Sequence, residues 1–248
     1  MNVLSVDRLT KRYANFALEN VSFSLSKGRI MGLIGKNGAG KTTTLKSILN
    51  LVTPNAGRVE MFGRDFMTNE KSCKQNIGVV FGGIDFYDHK RISDITAVTK
   101  RFYPNWDEEA YQKYLKAFDL ISSKRVKELS SGMKVKYMLA LALSHQARLL
   151  ILDEPTSGLD PVSRDDLLSL FRQLVNGGER SILYSTHITS DLEKCADDIT
   201  YIKDGKLLKT AQTSAFIEAF QHLKAPNEKA QLSLEEIMIR TERSTYDV

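Results

Sequence analysis

The chain has 248 residues, 42% hydrophobic and 26% charged, enough to bury the core of one α/β domain or of one domain carrying an inserted lobe. Its formal net charge is +5, yet Lys and Arg are interspersed with Asp and Glu and no long basic block occurs, so charge assigns it neither to nucleic acid nor to an anionic membrane surface. No apolar run approaches bilayer length, Met1-Asn-Val-Leu-Ser lacks a secretory pattern, and Cys73 and Cys195 lack metal or redox spacing; a cytosolic protein with reduced thiols is expected.

In chain order, Val3 to Leu9 and Val21 to Leu25 read as short strands. Ile30-Met-Gly-Leu-Ile34 is a continuous apolar run that reads as a buried strand, and Thr44 to Leu49 reads as a helix. Between them lies Gly35-Lys36-Asn37-Gly38-Ala39-Gly40-Lys41-Thr42-Thr43, which fits G-x-x-x-x-G-K-[ST], a loop whose backbone N–H groups surround nucleotide phosphates. Gly35, Gly38 and Gly40 let the backbone turn and approach an anion without a Cβ in the way. The N–H groups and dipole of the following helix then face that anion. Lys41 supplies a point charge for the outer phosphates, and the Thr42 hydroxyl is placed to ligate Mg²⁺. Strand, loop and helix in this order predict a nucleoside triphosphate site rather than an ordinary glycine turn.

Gly57 to Gly63 and Ile77 to Phe81 read as further strands, and Asp85 to Lys127, aromatic-rich and charged, as an inserted helical lobe. Regular α/β alternation then resumes. A helix from near Lys134 to Ser144 carries Val135, Met138, Leu139, Ala142 and Leu143 on one face. Leu149 to Leu152 reads as a central parallel strand, and Ser181 to Ser185 as the next. The helix between them opens at Pro161, buries Leu167, Phe171, Leu174 and Val175, and stops at Asn176-Gly177-Gly178. Past Thr213 come a helix, a polar connection around Pro226, and a last short helix with a capping box of Ser233 and Glu236. The expected fold is α/β, a mostly parallel sheet flanked by helices.

Asp153 and Glu154 end the Leu149 strand where ligands bind in open α/β sheets. Asp153 is expected to hold Mg²⁺ directly or through water, and Glu154 to accept a proton from the attacking water or to orient it. With these motifs in order, the chain from about Val3 to Thr210 resembles the ATP-binding subunit of an ABC (ATP-binding cassette) transporter. The resemblance implies the P-loop NTPase ABC-ATPase fold with N-terminal antiparallel strands. It divides the chain into a RecA-like core at 1–84 and 128–210, a helical subdomain at 85–127 and a helical tail at 211–248.

The resemblance extends to weaker motifs. Leu129-Ser130-Ser131-Gly132-Met133 is similar to the family signature Leu-Ser-Gly-Gly-Gln, which in this family contacts the γ-phosphate of ATP held by the other subunit. Asp160, in Ser157-Gly-Leu-Asp160, sits in the D-loop position; His187 sits in the switch position, where it would meet the γ-phosphate or the attacking water. Tyr13 sits where the family stacks adenine, or else is a buried strand aromatic. ATP and Mg²⁺ are implied as ligands, and a head-to-tail homodimer, or a heterodimer with a related subunit, as the assembly. Transmembrane permease subunits are the implied partners, no nucleic acid is expected, and the implied place is peripheral, at the cytoplasmic face of the membrane.

The chain departs from the family at Ser131 and Met133 of the signature and at Gly82-Gly83, where a glutamine usually touches Mg²⁺ or water. A side chain at Ser131 restricts the backbone, and Met133 has no hydrogen bond to donate. Phe86, Tyr87, Phe102, Tyr103 and Trp106 are candidates for a surface that receives the permease, and singly each reads more readily as lobe core. The compact lobe and Phe102-Tyr-Pro-Asn-Trp-Asp107 look most like bacterial exporters of antibiotics or peptides. Two other classes remain open at this level: a soluble ABC clamp on nucleic acid or ribosomes, and a nucleotide sensor that hydrolyses weakly.

Overall fold

The computed structural model describes residues 1–81, 87–225 and 228–243. Two long strands, β1 (Asn2–Arg12) and β2 (Ala17–Ser26), pair antiparallel; β2 largely alternates buried with more exposed positions, whereas register shifts in β1 bury the neighbours Val3-Leu4 and Leu9-Thr10 together. β3 (Ile30–Ile34) is buried at every position and feeds the phosphate loop and α1 (Lys41–Ile48). β4 (Ala56–Met61) returns beside β1, and the two-residue β5 (Arg64–Asp65) closes that edge. After α2 (Glu70–Lys74) and β6 (Ile77–Phe81) come α3 (Ile92–Thr99), α4 (Glu108–Ala117) and α5 (Ser131–Ser144). Asp107 caps α4 by accepting from the Ala110 N–H, and two acidic residues in its first turn complement the dipole. The chain continues through β7 (Leu149–Asp153), α6 (Pro161–Asn176), β8 (Ser181–Thr186), α7 (Thr189–Cys195), β9 (Asp198–Lys203) and β10 (Lys206–Gln212). It ends in α8 (Thr213–Ala219) and α9 (Leu234–Arg243), the latter opened by reciprocal Ser233–Glu236 hydrogen bonds.

Among the described residues, a ten-stranded sheet runs β5-β4-β1-β2-β10-β9-β3-β8-β7-β6. The segment β9-β3-β8-β7-β6 is parallel throughout, while β5-β4-β1-β2 is an antiparallel arm. Apolar clusters cover both faces. One gathers α5, α6, α7 and the C-terminal helices; the other gathers α1 and the inner side of the arm. Among the described residues, no helix is long and apolar enough to cross a membrane.

Among the described residues, one strand bridge joins arm and parallel core within the sheet, Lys206 with Glu19, reinforced by the Glu19 N–H donating to the Gly205 carbonyl at 2.8 Å. Gly205 has φ +77°, and a Cβ there would lie 1.8 Å from the Ala17 carbonyl oxygen. Only glycine lets the β9–β10 turn approach the arm this closely.

Several elements differ from the sequence reading. α5 begins at Ser131 rather than near Lys134, because the Ser130 hydroxyl caps it. Its buried set includes Tyr137 and Ala140, while Val135 and Met138 are half-buried, because α5 packs against both the sheet and α4. Tyr137 shares hydrogen bonds with Thr96 and the Ile92 carbonyl on α3. α7, β9 and β10 were not anticipated; β10 is mixed in burial, so no clean periodicity marks it. Tyr87 and Phe102 are 56% and 70% exposed, against the core reading, whereas Trp106 packs on the core beside Tyr111. Gly82-Gly83 and Phe86 lie outside the described residues.

His145, just after α5, is buried and stacks on Tyr103 with ring centroids 3.8 Å apart. Loss of hydration lowers its pKa to about 4. The folded ring therefore stays neutral down to about pH 4, whereas the unfolded ring protonates below its ordinary value of 6.5.

Two expectations follow from these contacts. Gly205→Ala should cost about 2 kcal/mol or more, which lowers the melting temperature by roughly 4 °C or more in a thermal scan; an unchanged midpoint would refute the close approach. Stability should hold above pH 6.5 and fall toward pH 4, with His145 contributing up to about 3 kcal/mol of that loss. In urea titrations at pH 7 and pH 4.5, the gap between the native chain and His145→Gln should narrow at the lower pH; a constant gap counts against it.

Candidate nucleotide-binding site

The site forms where the parallel strands end. β3 delivers the loop 35–40, and Gly40, at φ +112°, is the N-cap residue of α1. No side chain caps α1 and no acid lies in its first turn, so its leading N–H groups remain available to an anion. Lys41 is only 6% exposed; its ammonium donates to the Gly35 carbonyl at 2.8 Å and stands 3.4 Å from Glu154 Oε1. Ala39 is buried, and its carbonyl accepts from the Gly205 N–H at 2.9 Å.

β7 and β8 pair in register with Asp153 opposite Ser185. The Ser185 hydroxyl donates to Asp153 Oδ1, and the Thr42 hydroxyl donates to Oδ2 at 2.8 Å. The buried carboxylate thus has a hydroxyl on each oxygen. Glu154, the next residue, adopts φ +50°, a region that side-chain-bearing residues seldom occupy. Its N–H donates to the Ser185 carbonyl at 3.0 Å, which holds the chain in that turn. Its carboxylate lies between two partners, Lys41 on Oε1 and His187 on Oε2, the latter with Nδ1 at 2.8 Å. An arriving polyphosphate would compete with this carboxylate for Lys41.

A cavity of about 470 Å³ opens over the loop, walled by Asn37, Gly38, Lys41, Thr43 and Glu154 and, at one end, by Tyr13 and Phe16. Tyr13 follows β1, is 47% exposed, and stands 6.5 Å from the Phe16 ring, with the Lys11 ammonium 5.3 Å from its own. It is no buried strand aromatic; a flat ring is presented to the cavity.

Other predicted residues lie elsewhere. Ser130, Ser131, Gly132 and Asp160 do not line this cavity. Ser130 and Asp160 are the N-caps of α5 and α6, with Asp160 accepting from the Val162 and Ser163 N–H groups at 3.0 Å. Hydrogen bonds from Ser163, then from Val162, hold the Asp160 carboxyl below its ordinary pKa. Ser131 is the first helical residue of α5 and is not among the residues with positive φ, so its side chain imposes no backbone cost there. Gly35 and Lys36 begin the loop, Lys36 with its ammonium turned toward Asp204 at 3.2 Å.

Phe16 and Ser185 were missed. Phe16 had a signal, an aromatic three residues after Tyr13, whereas the Ser185 contact depends on strand pairing that no local pattern reveals. No cluster of three or more His, Cys, Asp or Glu residues suited to a metal exists among the described residues. The chain offers two hard oxygens, Thr42 Oγ1 and Asp153 Oδ2. That set suits Mg²⁺, which completes its shell with water and phosphate oxygens.

Residues 18–157 match the protein family described as ABC transporter. The chain is 33% identical over 230 residues to the bacitracin transport ATP-binding protein BcrA of Bacillus licheniformis, covering 92% of this chain and 73% of that protein. It is 34% identical over 229 residues to the Nod factor export ATP-binding protein I of Burkholderia orbicola, covering 88% and 74%. Among solved structures, an ATP binding subunit of an ABC transporter superposes with TM-score 0.83 at 26% identity, covering 97% of this chain and 99% of that one.

Asp153→Asn keeps the shape of the carboxylate and removes its charge. Calorimetric titration with ATP should show Mg²⁺ tightening binding in the native chain and no longer doing so in this variant, with the melting temperature within a few degrees of native. An intact Mg²⁺ effect would exclude Asp153 as a ligand.

Proposed function

The chain belongs to the ABC transporter family, and from that premise we propose that it is the ATP-hydrolysing subunit that powers export through separate transmembrane permease subunits. The observation that carries this reading is the meeting of Lys41, Thr42, Asp153, Glu154 and His187 at one end of the parallel sheet, beneath an uncapped helix. In this reading the α1 N–H groups and Lys41 hold the phosphates of ATP, and Tyr13 stacks on the adenine. Thr42 and Asp153 hold Mg²⁺, which supplies charge neutralisation at the phosphate oxygens. Glu154 takes the proton of the attacking water or orients it, and His187 aligns that carboxylate through its 2.8 Å contact.

Ser130, Ser131 and Gly132 lie at the start of α5, away from the chain's own cavity. A head-to-tail partner, another copy or a related subunit, would bring its ATP against that helix start and against Asp160. Closure over two nucleotides and reopening after hydrolysis would be a shift between two populations. Met133 packs on the core of its own chain, so the signature would act through backbone N–H groups and Ser130.

A groove of about 510 Å³ beside α3, lined by Tyr87, Ile95, Val98, Phe102 and Tyr103, fits an apolar segment of the permease. Docking there would hold the chain at the cytoplasmic face of a membrane. An antibiotic or peptide is the cargo class, following the bacitracin transport relative. A clamp on nucleic acid or ribosomes is not favoured, because the matched relatives are transporter subunits.

Glu154→Gln should bind ATP while steady phosphate release falls by about 10²- to 10³-fold, the usual reach of a positioned general base. Release at the native rate would remove Glu154 from the reaction.

A further inference from the structure

We propose that Glu242, on the C-terminal helix α9, is a positioning residue for the phosphate loop, acting through Lys36. Lys36 is the second residue of the loop, yet its side chain does not line the nucleotide cavity. Its ammonium stands 3.2 Å from Asp204 in the β9–β10 turn and 3.4 Å from Glu242. Its backbone belongs to the loop itself: the Lys36 carbonyl accepts from the Ala39 N–H at 3.1 Å and from Lys41 Nζ at 3.4 Å. A displaced Lys36 backbone therefore disturbs both the turn and the phosphate-binding lysine.

Glu242 is itself held. Its side chain is 15% exposed, and the fully buried Tyr201 donates its hydroxyl to Glu242 Oε1 at 2.8 Å. Beside it, Lys203 Nζ donates to the Thr241 carbonyl at 2.7 Å. The other end of α9 is fixed by Leu234 and Ile237 in the core and by the Leu234 N–H donating to Glu193 on α7, the helix after His187. The loop wall is equally tight: a Cβ on Gly35 would lie 2.3 Å from the Ile202 carbonyl of β9. Helix α9 thus spans from the segment behind the histidine to the entry of the phosphate loop. An isolated exposed ion pair contributes little, but here two carboxylates, a buried phenol and the loop backbone form one network.

This inference rests on the nucleotide-binding reading above. Its test is calorimetric titration of the full chain with ATP·Mg²⁺ and with ADP, together with steady-state turnover. Glu242→Gln and Tyr201→Phe should each raise Kd for both nucleotides by about two- to fivefold, as a partly exposed network allows. KM should rise by the same factor while kcat holds. Tyr201→Phe changes no charge, so a shift in the same direction for both variants identifies positioning rather than a field effect. In a Lys36→Met background, Glu242→Gln should add no further loss. Native Kd values in both variants would overturn the proposal, as would an undiminished Glu242→Gln effect without Lys36. A native chain that bound neither nucleotide would instead overturn the nucleotide reading and this inference with it.

Discussion

The carboxylate of Asp153 holds the site together. A charged group taken from water costs several kcal/mol unless hydrogen bonds replace the lost solvent, and here a hydroxyl serves each oxygen. Thr42 comes from α1 and Ser185 from β8, while Asp153 ends β7. Three elements distant in sequence are fixed to one another at that atom pair. Glu154 inherits its place from the same junction, because its N–H is captured by the Ser185 carbonyl as the chain leaves the strand.

Charge balance around this junction explains why several charged groups coexist in a small space. Lys41 is nearly buried and is matched by Glu154, which in turn meets His187. The left-handed backbone of Glu154 is the cost of aiming an acid back toward the loop rather than along the sheet. Similar local logic appears at the helix starts. Ser130 and Asp160 each satisfy N–H groups within their own chain, and both lie outside the cavity of that chain. A residue that caps a helix and faces outward is available for a second task once a neighbouring molecule arrives.

Much of this was legible in the residues themselves. The apolar runs Ile30–Ile34 and Leu149–Leu152 are strands because every side chain on them is buried, a pattern that needs no knowledge of neighbours. The phosphate loop and the capped starts of α6 and α9 carry their signals within a few positions. What escaped depends on pairing or on two-sided burial. β10 shows mixed burial because it joins the arm to the core, and α5 hides more of its surface than one stripe because a lobe covers its second side. Ser185 acquires meaning only from its register opposite Asp153. The exposure of Tyr87 and Phe102 likewise reflects the lobe's placement, which composition does not encode.

The seam at Gly205 has a mechanical corollary. Tyr13 stands at the tip of the antiparallel arm, Lys41 and Asp153 belong to the parallel half, and among the described residues the two halves are joined by one strand bridge over a shared apolar cluster. A ligand long enough to reach from the aromatic ring to the lysine is a cross-tie over that joint. Its adhesion to both sides would add to the cohesion that the shared apolar cluster beneath them already provides.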